Sequence, residues 1–448
     1  MRIAIIAPGS RGDIQPYLAL GVGLLRAGHA VRVVTTIDHT ELVQSYGPEL
    51  WSVDIDVKAA LQGDKVSGSI EGGSVVTSFW HFAEIAKRGA RMLAEVGLAA
   101  CRGVDGIVAG FSGAFIAEGI AAHLDLPLVQ AYNVPLTPTS THAGVLVPGL
   151  SWGPRSRRLS HALTRQAIWM VSRSSANAAR MEVLGSPSAP WLAPSSIAGL
   201  APGPVLYGYS PAVLPRPAEW GDDIEITGTW FTDEPSGFTP PPGLEAFLAE
   251  GPRPICIGFG SMSQRDPEST TRLVLDAVAR SGQRAILLSG WGGLTATERP
   301  RSVFQGDSIP HSWLYPRVSA VVHHGGAGTT FAGLRAGVPS IVVPFHGDQP
   351  FWAKCVHDLG VGPAPIPRTR LSAERLAGAI EAAVRDEAMA ARAAALGERI
   401  RAEDGVGRAV ASIERIVERP PVPQKGVGAA KAGARAAKSG GAGGVTAA

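Results

Sequence analysis

Cysteine is scarce in this sequence of 448 residues, which contains only three thiols. Cys101, Cys256 and Cys355 are too few and too widely separated for a disulfide framework or a cysteine-ligated zinc site. The sequence therefore excludes the class of small disulfide-stabilised domains. We expect buried free thiols in a reducing compartment.

Long apolar runs are also missing. The opening stretch MRIAIIAPG has an apolar run that stops at Pro8 and Gly9, too early for the core of a signal peptide. The window GIVAGFSGAFIA, which starts at Gly106, meets Glu118 before the roughly 20 apolar residues that a membrane-spanning helix requires. The sequence therefore predicts a cytoplasmic protein without a transmembrane segment, and its opening stretch is interpreted as a β-strand.

Positive charge is concentrated at one end of the chain. The formal net charge is +3, but residues 419–448 contain five Lys or Arg and no acid, which leaves about −2 for the remainder. A nucleic-acid-binding protein normally carries its basic excess on the folded surface, so this class is disfavoured. The tail is also poor in large apolar residues, which predicts disorder.

Strand and helix patterns alternate along the rest of the chain, which is longer than one hydrophobic core normally supports. One block runs from RIAIIA to LPLVQAY, and a second from PICIGFGSM to SIVVPF. A proline- and glycine-rich stretch at residues 201–243 separates them. The sequence predicts two doubly wound α/β domains of the Rossmann-like kind. The predicted units are 1–214, 215–388, a C-terminal helix at 389–418 and a disordered tail at 419–448.

The stretch HHGGAGTTFAGLRAGVPSIVVPFHGDQPFWA, residues 323–353, has features of an anion and sugar site. A strand leads through a glycine-rich turn into a helix near Thr329, whose N-terminus would attract a phosphate, and His324 could donate a hydrogen bond to it. Asp348 and Gln349 follow the next strand, and a carboxylate beside an amide suits the paired hydroxyls of a hexose. A glycine-rich turn or a single histidine is usually structural, but the ordered set favours a binding site.

This stretch, with SIPHSWLYPRVSAVV before it, resembles the donor-binding signature of the UDP-glycosyltransferase superfamily. The superfamily consists of inverting enzymes of GT-B fold, in which two Rossmann-like domains face each other across a cleft. The sequence is most similar to the sterol glucosyltransferase and bacterial antibiotic glycosyltransferase branch, over nearly the whole chain except the tail. The resemblance implies a nucleotide sugar as co-substrate, with UDP-glucose the first choice, and no cofactor or metal.

The resemblance also implies roles for individual residues on the donor side. The diphosphate would meet the glycine-rich turn and a second loop in GFGSM, the nucleobase would lie near the tryptophan of PHSWL, and the sugar hydroxyls would bind the Asp-Gln pair. The implied donor-binding residues are Ser261, Trp313, His324, Gly326, Gly328, Thr329, Asp348 and Gln349.

The loop GSRGDIQP follows the first strand and lacks the GxGxxG pattern of a nucleotide-binding loop. In the family this loop faces the acceptor, and Asp13 occupies the position where many plant relatives carry the histidine of a Gly-His-x-x-Pro pattern. Asp13 would then be the general base, although an Asp here could simply cap the following helix. The acceptor-binding residues implied on this side are Ser10, Gly12, Trp80 and Asn133.

Large aromatic residues of the first domain favour a lipophilic acceptor, such as a sterol, macrolide, ansamycin or polyphenol, although they are also ordinary core residues. The stretch RSRR at residues 155–158 would allow weak contact with an anionic membrane, and a solvated turn is the simpler interpretation. The tryptophans in question are Trp51, Trp80, Trp152, Trp169 and Trp191.

Other functions stay open. The motif DID at Asp54–Asp56 matches the metal-binding Asp-x-Asp of the other major glycosyltransferase fold, but its alternating context indicates the exposed face of a strand. The chain could instead be a nucleotide-sugar epimerase, an inactive homologue that assists a partner glycosyltransferase, or a transferase for a lipid-linked precursor. The last lacks support because its usual Gly-Gly-Ser-x-Gly loop is replaced by GFGSM.

Overall fold

Two parallel β-sheets, each flanked by helices, form the protein. The structure is a computed structural model. It describes residues 1–55, 89–193, 199–232, 238–260, 266–290, 300–307 and 309–419. The tail predicted at 419–448 lies outside these residues, apart from Arg419.

The first sheet has seven parallel strands in the order β3-β2-β1-β4-β5-β6-β7. Every residue of β4 and β5 is buried, as expected for parallel strands that are covered by helices on both faces. The strand order reverses between β1 and β4, so the loops after these two strands border a crevice. The strands are β1 Arg2–Ile6, β2 Ala30–Thr36, β3 Glu49–Val53, β4 Gly106–Ala109, β5 Leu128–Tyr132, β6 Val205–Tyr207 and β7 Ile224–Ile226.

Five helices accompany this sheet in the described part of the chain. The longest, α5, continues into a π-helical turn at Ala179–Val183. The helices are α1 Arg11–Arg26, α2 Thr40–Tyr46, α3 89–101, α4 Ala114–Leu124 and α5 Pro154–Ala178.

The second sheet has five parallel strands in the order β10-β9-β8-β11-β12. Its order reverses between β8 and β11, so the turns after these two strands border a second crevice. The strands are β8 Ile255–Gly258, β9 Ala285–Leu288, β10 Val303–Gly306, β11 Ala320–His323 and β12 Ser340–Val342. The helices that follow in this half are α6 Leu244–Ala249, α7 Pro267–Ser281, α8 His311–Leu314, α9 Ala327–Ala336, α10 Gln349–Asp358 and α11 Ala373–Arg385.

The chain crosses from one sheet to the other later than the predicted boundary at residue 214. Strand β7 pairs with β6 and therefore belongs to the first sheet. The proline- and glycine-rich stretch predicted as a linker thus contains two strands of this sheet. We propose that the boundary lies between Ile226 and Leu244, where α6 begins the second half.

The stretch predicted as one helix at 389–418 forms two, α12 at Glu387–Arg401 and α13 at Gly405–Val417. The break occurs because Asp404 accepts a hydrogen bond from the Gly407 amide at 2.9 Å and caps a new helix. Helix α13 returns to the first sheet, where Ile413 is buried in the same core as α1. The end of the described chain is therefore part of the first half of the molecule.

No helix of the described residues is both long and apolar enough to cross a membrane. Cys101 and Cys256 are buried and Cys355 is half-buried, and all three thiols are free. Burial raises the pKa of Cys101 to about 12, so this thiol is unreactive at neutral pH.

Close packing of α13 on α1 requires a glycine, which gives a test of the fold. A Cβ at Gly23 would overlap Cγ1 of Val406 and lie 3.0 Å from Cγ2 of Val410, whereas a Cβ at Gly378 of α11 would meet no atom within 4 Å. We expect Gly23→Ala to destabilise the protein by about 1–3 kcal/mol through overpacking. Gly378→Ala should stabilise it by roughly 0.5–1 kcal/mol through helix propensity.

Thermal unfolding of the two variants measures the difference. The apparent melting temperature should fall for Gly23→Ala and stay constant or rise for Gly378→Ala. Equal melting temperatures for the two variants would contradict the described packing of α13.

Candidate functional site

A cleft of about 1520 Å³ lies between the two sheets. It is lined mainly by residues that follow the carboxyl ends of strands in both halves. Pro8, Asn133 and Gly208 come from the first sheet, and Gly260 and His324 from the second. The reversal points of both sheets open into this cleft, so one ligand can contact both halves.

The loop between β1 and α1 folds Asp13 back onto the helix N-terminus. Oδ2 of Asp13 accepts hydrogen bonds from the Ser10 amide at 2.8 Å and from the Ser10 hydroxyl at 2.9 Å. Gly9 has a φ of 132°, and a Cβ there would lie 2.6 Å from Oδ2 of Asp13. The loop therefore needs glycine at this position. Ser10 is the N-cap residue of α1, so Asp13 is not the N-cap that the alternative interpretation of the sequence expected. Asp13 is the third helical residue, completes a capping box with Ser10, and lines the cleft.

The surroundings of Asp13 make it a stronger base than an exposed aspartate. Burial raises the pKa of its carboxyl above the usual value, and hydrogen bonds from Ser10 and the nearby His39 offset only part of this effect. The hydrogen bonds recorded for this carboxylate among the described residues all fall on Oδ2. Oδ1 is therefore the oxygen that can accept a proton from a ligand.

The glycine-rich turn after β11 holds His324 against the cleft. The His324 ring lies between two glycines, since a Cβ at Gly260 would be 2.9 Å from Cε1 and a Cβ at Gly326 would be 2.6 Å from Nε2. His324 is 9% exposed, and its Nδ1 has no hydrogen-bond partner among the described residues. Burial, with the nearby His346 and His311, lowers the pKa of His324 to about 4. The ring is thus neutral at pH 7 and can donate one N–H.

Helix α9 points its N-terminus into the same cleft. Gly326 is the N-cap residue, and Ala327, Gly328 and Thr329 of the first turn line the cleft. Amides of a first helical turn have no partner within the helix, and the helix dipole places partial positive charge there. A Cβ at Gly328 would meet nothing within 4 Å, so space is open beside these amides. The geometry suits a phosphate group.

Asp348 and Gln349 begin α10 and line the cleft next to this turn. Oε1 of Gln349 accepts hydrogen bonds from the amides of Phe345 at 2.8 Å and His346 at 3.2 Å. Because only an oxygen can accept these two bonds, they distinguish the oxygen of the Gln349 side-chain amide from its nitrogen. Oδ2 of Asp348 accepts a hydrogen bond from Nε1 of Trp352 at 3.0 Å. Both side chains are therefore held in place without a ligand.

Asp348 and Asp13 interact across the cleft although they belong to different sheets. Burial raises the pKa of Asp348 to about 6, and the negative charge of Asp13 contributes to this rise. Both side chains line the same cleft. The cleft thus brings the loop after β1 and the start of α10 to one ligand-sized space.

In the part of the cleft enclosed by the first half, many apolar side chains lie beside polar ones, and the predicted residues Ser10, Gly12 and Asn133 are part of this lining. Oδ1 of Asn133 is buried and has no hydrogen-bond partner among the described residues, so it is available to a ligand hydroxyl. The apolar residues are Leu93, Phe111, Phe115, Ile116, Val134, Val145, Leu146, Ile168, Val171, Trp230 and Phe231.

The aromatic residues of this pocket differ from those that the sequence suggested. Trp152 and Trp191 are 86% and 67% exposed, and Trp169 is buried with its ring 4.9 Å from that of Phe115. None of these three, nor Trp51, contributes to the described lining. Trp230 lines the pocket instead. Trp230 was not predicted from the sequence because it lies within the proline- and glycine-rich stretch that was interpreted as a linker.

Trp313, which was predicted to lie near a nucleobase, is not among the described residues that line the cleft. Its ring packs 5.8 Å from Phe238 and 4.3 Å from the Arg317 guanidinium, away from the cleft lining. Residues two positions apart on a helical turn point about 200° apart. His311, two residues earlier in PHSWL, is therefore the side chain that lines the cleft.

Two predicted residues, Ser261 and Trp80, lie outside the described residues. Asp56 of the DID motif also lies outside them, and Asp54 is exposed just after β3. Within the described ranges, no three His, Cys, Asp or Glu residues are grouped so that they could hold a metal ion.

Two family models match the chain. Residues 3–113 match the glycosyltransferase family 28 N-terminal domain, and residues 272–413 match the erythromycin biosynthesis protein CIII-like C-terminal domain. The first match covers the loop with Asp13, and the second covers His324, Asp348 and Gln349.

Sterol glucosyltransferases are among the similar curated proteins. Sterol 3-beta-glucosyltransferase UGT80A2 of Arabidopsis thaliana is 35% identical over 421 residues, covering 92% of this chain and 64% of the relative. Sterol 3-beta-glucosyltransferase of Emericella nidulans is 35% identical over 434 residues, covering 93% of this chain and 30% of the relative. The chain spans less than two thirds of the length of either relative.

Solved glycosyltransferase structures share the two-sheet architecture. The glycotransferase of kitacinnamycin matches with a TM-score of 0.66 and 20% identity, over 93% of this chain and 98% of the other. Glycosyltransferase VinC, solved in complex with dTDP, matches with a TM-score of 0.64 and 18% identity, over 94% of this chain and 100% of the other. The predicted GT-B fold is thereby confirmed.

The raised pKa of Asp348 predicts how stability depends on pH. Because its pKa of about 6 in the folded state exceeds the usual value of 3.8, the folded state binds more protons between these pH values, and stability falls as pH rises through this window. The charged carboxylate then destabilises the unliganded protein above pH 6. Asp348→Asn should raise the apparent melting temperature at pH 7.5, and the gain should shrink as pH approaches 4.

Asp358→Asn is the matched control, because it removes an exposed carboxylate at the other end of α10 that pairs with Lys354. Its melting temperature should change little at either pH, since exposed ion pairs contribute about 0–1 kcal/mol. An Asp348→Asn variant that is less stable than the native protein at pH 7.5 would contradict the described environment of Asp348.

Proposed function

The chain belongs to the UDP-glycosyltransferase superfamily, and from this premise we propose that it transfers a hexose from a nucleotide diphosphate sugar to a hydroxyl of a lipophilic small molecule. The observation that carries the proposal is that Asp13 of the first half and Asp348 of the second half line one cleft. It brings a base from the first half next to a sugar-type site in the second.

The donor diphosphate lies at the N-terminus of α9 in this proposal. The amides of Gly328 and Thr329 donate hydrogen bonds to it, and the neutral His324 ring donates one more. Asp348 and the amide of Gln349 bind the sugar hydroxyls. UDP-glucose is the first choice, and dTDP-glucose is the alternative because a structural neighbour was solved with dTDP.

The acceptor lies in the apolar pocket of the first half, with its reacting hydroxyl near Asp13 and Asn133. Phe111, Phe115 and Trp230 offer rings against which a polycyclic or macrocyclic molecule can pack. The similarity to sterol 3-beta-glucosyltransferases supports a sterol-like alcohol as one member of this class.

The reaction is a single displacement. Oδ1 of Asp13 accepts the proton of the acceptor hydroxyl while its oxygen attacks the anomeric carbon, and the bond from that carbon to the diphosphate oxygen breaks. Negative charge that develops on the leaving diphosphate is stabilised by the α9 amides and His324. One displacement inverts the configuration, so an α-linked donor gives a β-glycoside. The raised pKa of Asp13 makes it a better base near neutral pH.

The proposed function is tested by incubating the protein with UDP-glucose or dTDP-glucose and a panel of sterols, macrolides, ansamycins and polyphenols. Mass spectrometry should find a hexose increment on at least one acceptor. Isothermal titration should find binding of the nucleotide sugar. Absent donor binding would support an inactive helper, and conversion of the donor to another nucleotide sugar without an acceptor would support an epimerase.

Asp13→Asn separates catalysis from structure. An asparagine oxygen can still accept both Ser10 hydrogen bonds, so the α1 cap should be retained. The melting temperature should be retained or rise, because the substitution removes a buried charge. Turnover should fall about 10²–10⁴-fold because the base is lost, while the dissociation constant for UDP-glucose should stay within about twofold. In the native enzyme, kcat/KM should fall at acid pH as Asp13 becomes protonated, and this decline should lie above the ordinary aspartate range.

A near-native turnover of Asp13→Asn would exclude Asp13 as the base. Weakened donor binding in the same variant would assign Asp13 to the donor site instead.

A further inference from the structure

Helix α5 exposes large apolar side chains along one face. Leu159, Leu163 and Met170 are 53%, 45% and 49% exposed, and their spacing of four and seven residues places them on the same side of the helix. Exposed apolar residues grouped in this way are unusual on a monomer, whereas isolated ones need no explanation.

The segment after α5 extends this surface. Trp191 and Leu192 are 67% and 74% exposed. They are held beside the helix because Gln166 donates a hydrogen bond to the Trp191 carbonyl at 3.3 Å and accepts one from the Ala193 amide at 3.0 Å. Trp152, just before the helix, is 86% exposed. We call the surface formed by Trp152, Leu159, Leu163, Met170, Trp191 and Leu192 the α5 face.

The charges of α5 are all positive. Its sequence PRSRRLSHALTRQAIWMVSRSSANA contains five arginines and no acidic residue. Arg155 is exposed at the first turn, and the Arg173 guanidinium lies 4.1 Å from the centre of the Trp191 ring. Arg158 pairs with Glu219 at 2.7 Å, so this one charge is offset. The α5 face therefore combines apolar side chains with cations at its border.

The opposite side of α5 lines the apolar pocket of the cleft. Ile168, Val171 and Ser175 contribute to the pocket. With 100° of rotation per residue, these positions lie roughly opposite the line of Leu159, Leu163 and Met170. One helix thus separates the pocket from the α5 face.

We propose that the α5 face docks the protein on the surface of a bilayer that contains anionic lipid. Leucine, methionine and tryptophan side chains enter the headgroup boundary, and Arg155 and Arg173 approach lipid phosphates. A symmetric contact between two copies of the chain is disfavoured because it would bring the like-charged α5 helices together. If the proposed function also holds, a lipophilic acceptor has a short path from the bilayer into the pocket.

Co-sedimentation of the full-length protein with vesicles tests the proposal. Native protein should bind phosphatidylcholine vesicles that contain phosphatidylglycerol much more strongly than pure phosphatidylcholine vesicles, and added salt should weaken the binding. Leu163→Gln/Met170→Gln should reduce binding by about tenfold. Arg155→Glu/Arg173→Glu should reduce it by at least about tenfold, given about 1 kcal/mol for each basic residue at an anionic surface.

Two controls match these variants. Ile37 is 46% exposed and lies outside the α5 face, so Ile37→Gln should bind like the native protein. Arg253 and Arg272 are exposed in the second half, so Arg253→Glu/Arg272→Glu produces the same change of net charge away from the α5 face. The basic residues at 419–448 are present in every variant, so differences between variants report on the α5 face alone.

Three results would overturn the proposal: no preference of the native protein for anionic vesicles, unchanged binding of both α5 variants, or equal losses in the controls. A concentration-dependent dimer in light scattering that the α5 substitutions abolish would assign this face to a second copy. Hexose transfer to a detergent-dissolved acceptor tests the proposed function separately from membrane docking, because the assay contains no vesicles. The α5 variants should retain that activity, whereas a wrong function would leave even the native protein inactive.

Discussion

The placement of two buried carboxylates in the lining of one cleft is the constraint on which the site depends. Asp13 comes from the first turn of α1 and Asp348 from the start of α10, more than 300 residues later. Burial raises the pKa of both groups, and the charge of Asp13 adds to the effect on Asp348. Two negative charges that face each other across a cleft destabilise the protein in the absence of a ligand. Ligand hydroxyls that donate hydrogen bonds to the two carboxylates would reduce this destabilisation. The unliganded site is therefore held in a state that favours a polyhydroxylated ligand.

Glycines make this arrangement sterically possible. Gly9 allows Asp13 to fold back onto its helix, and Gly260 and Gly326 leave room for the His324 ring on both sides. The ring is consequently fixed by backbone atoms rather than by flexible side chains, which keeps its orientation independent of ligand binding. A site positioned in this way needs little rearrangement when a diphosphate arrives, because the α9 amides and the ring already face the same space.

Structure within single helices, strands and turns could be predicted from the sequence, whereas contacts between distant elements could not. The strand-turn-helix context of His324 and Thr329 follows from local residue order, so this region of the donor side was predicted at residue level. Which residue of PHSWL faces the cleft depends on the rotation of a four-residue helix, and His311 rather than Trp313 lines it. The position of α13 could also not be predicted, because no local sequence pattern shows that a C-terminal helix packs on α1. Trp230 was missed because a run of prolines and glycines resembles a linker even when it carries two strands.

The return of α13 to the first sheet means that the chain crosses between the halves twice. The first crossing follows Ile226, and the second lies at the three residues between α12 and α13. Two covalent connections remove most independent translations and leave rotation about the line that joins them as the least restrained movement. We therefore expect the cleft to open by rotation of one half relative to the other about this line. The carboxylates of Asp13 and Asp348 lie on opposite sides of the opening. Substitutions near residues 402–404 would then alter ligand exchange without touching any ligand.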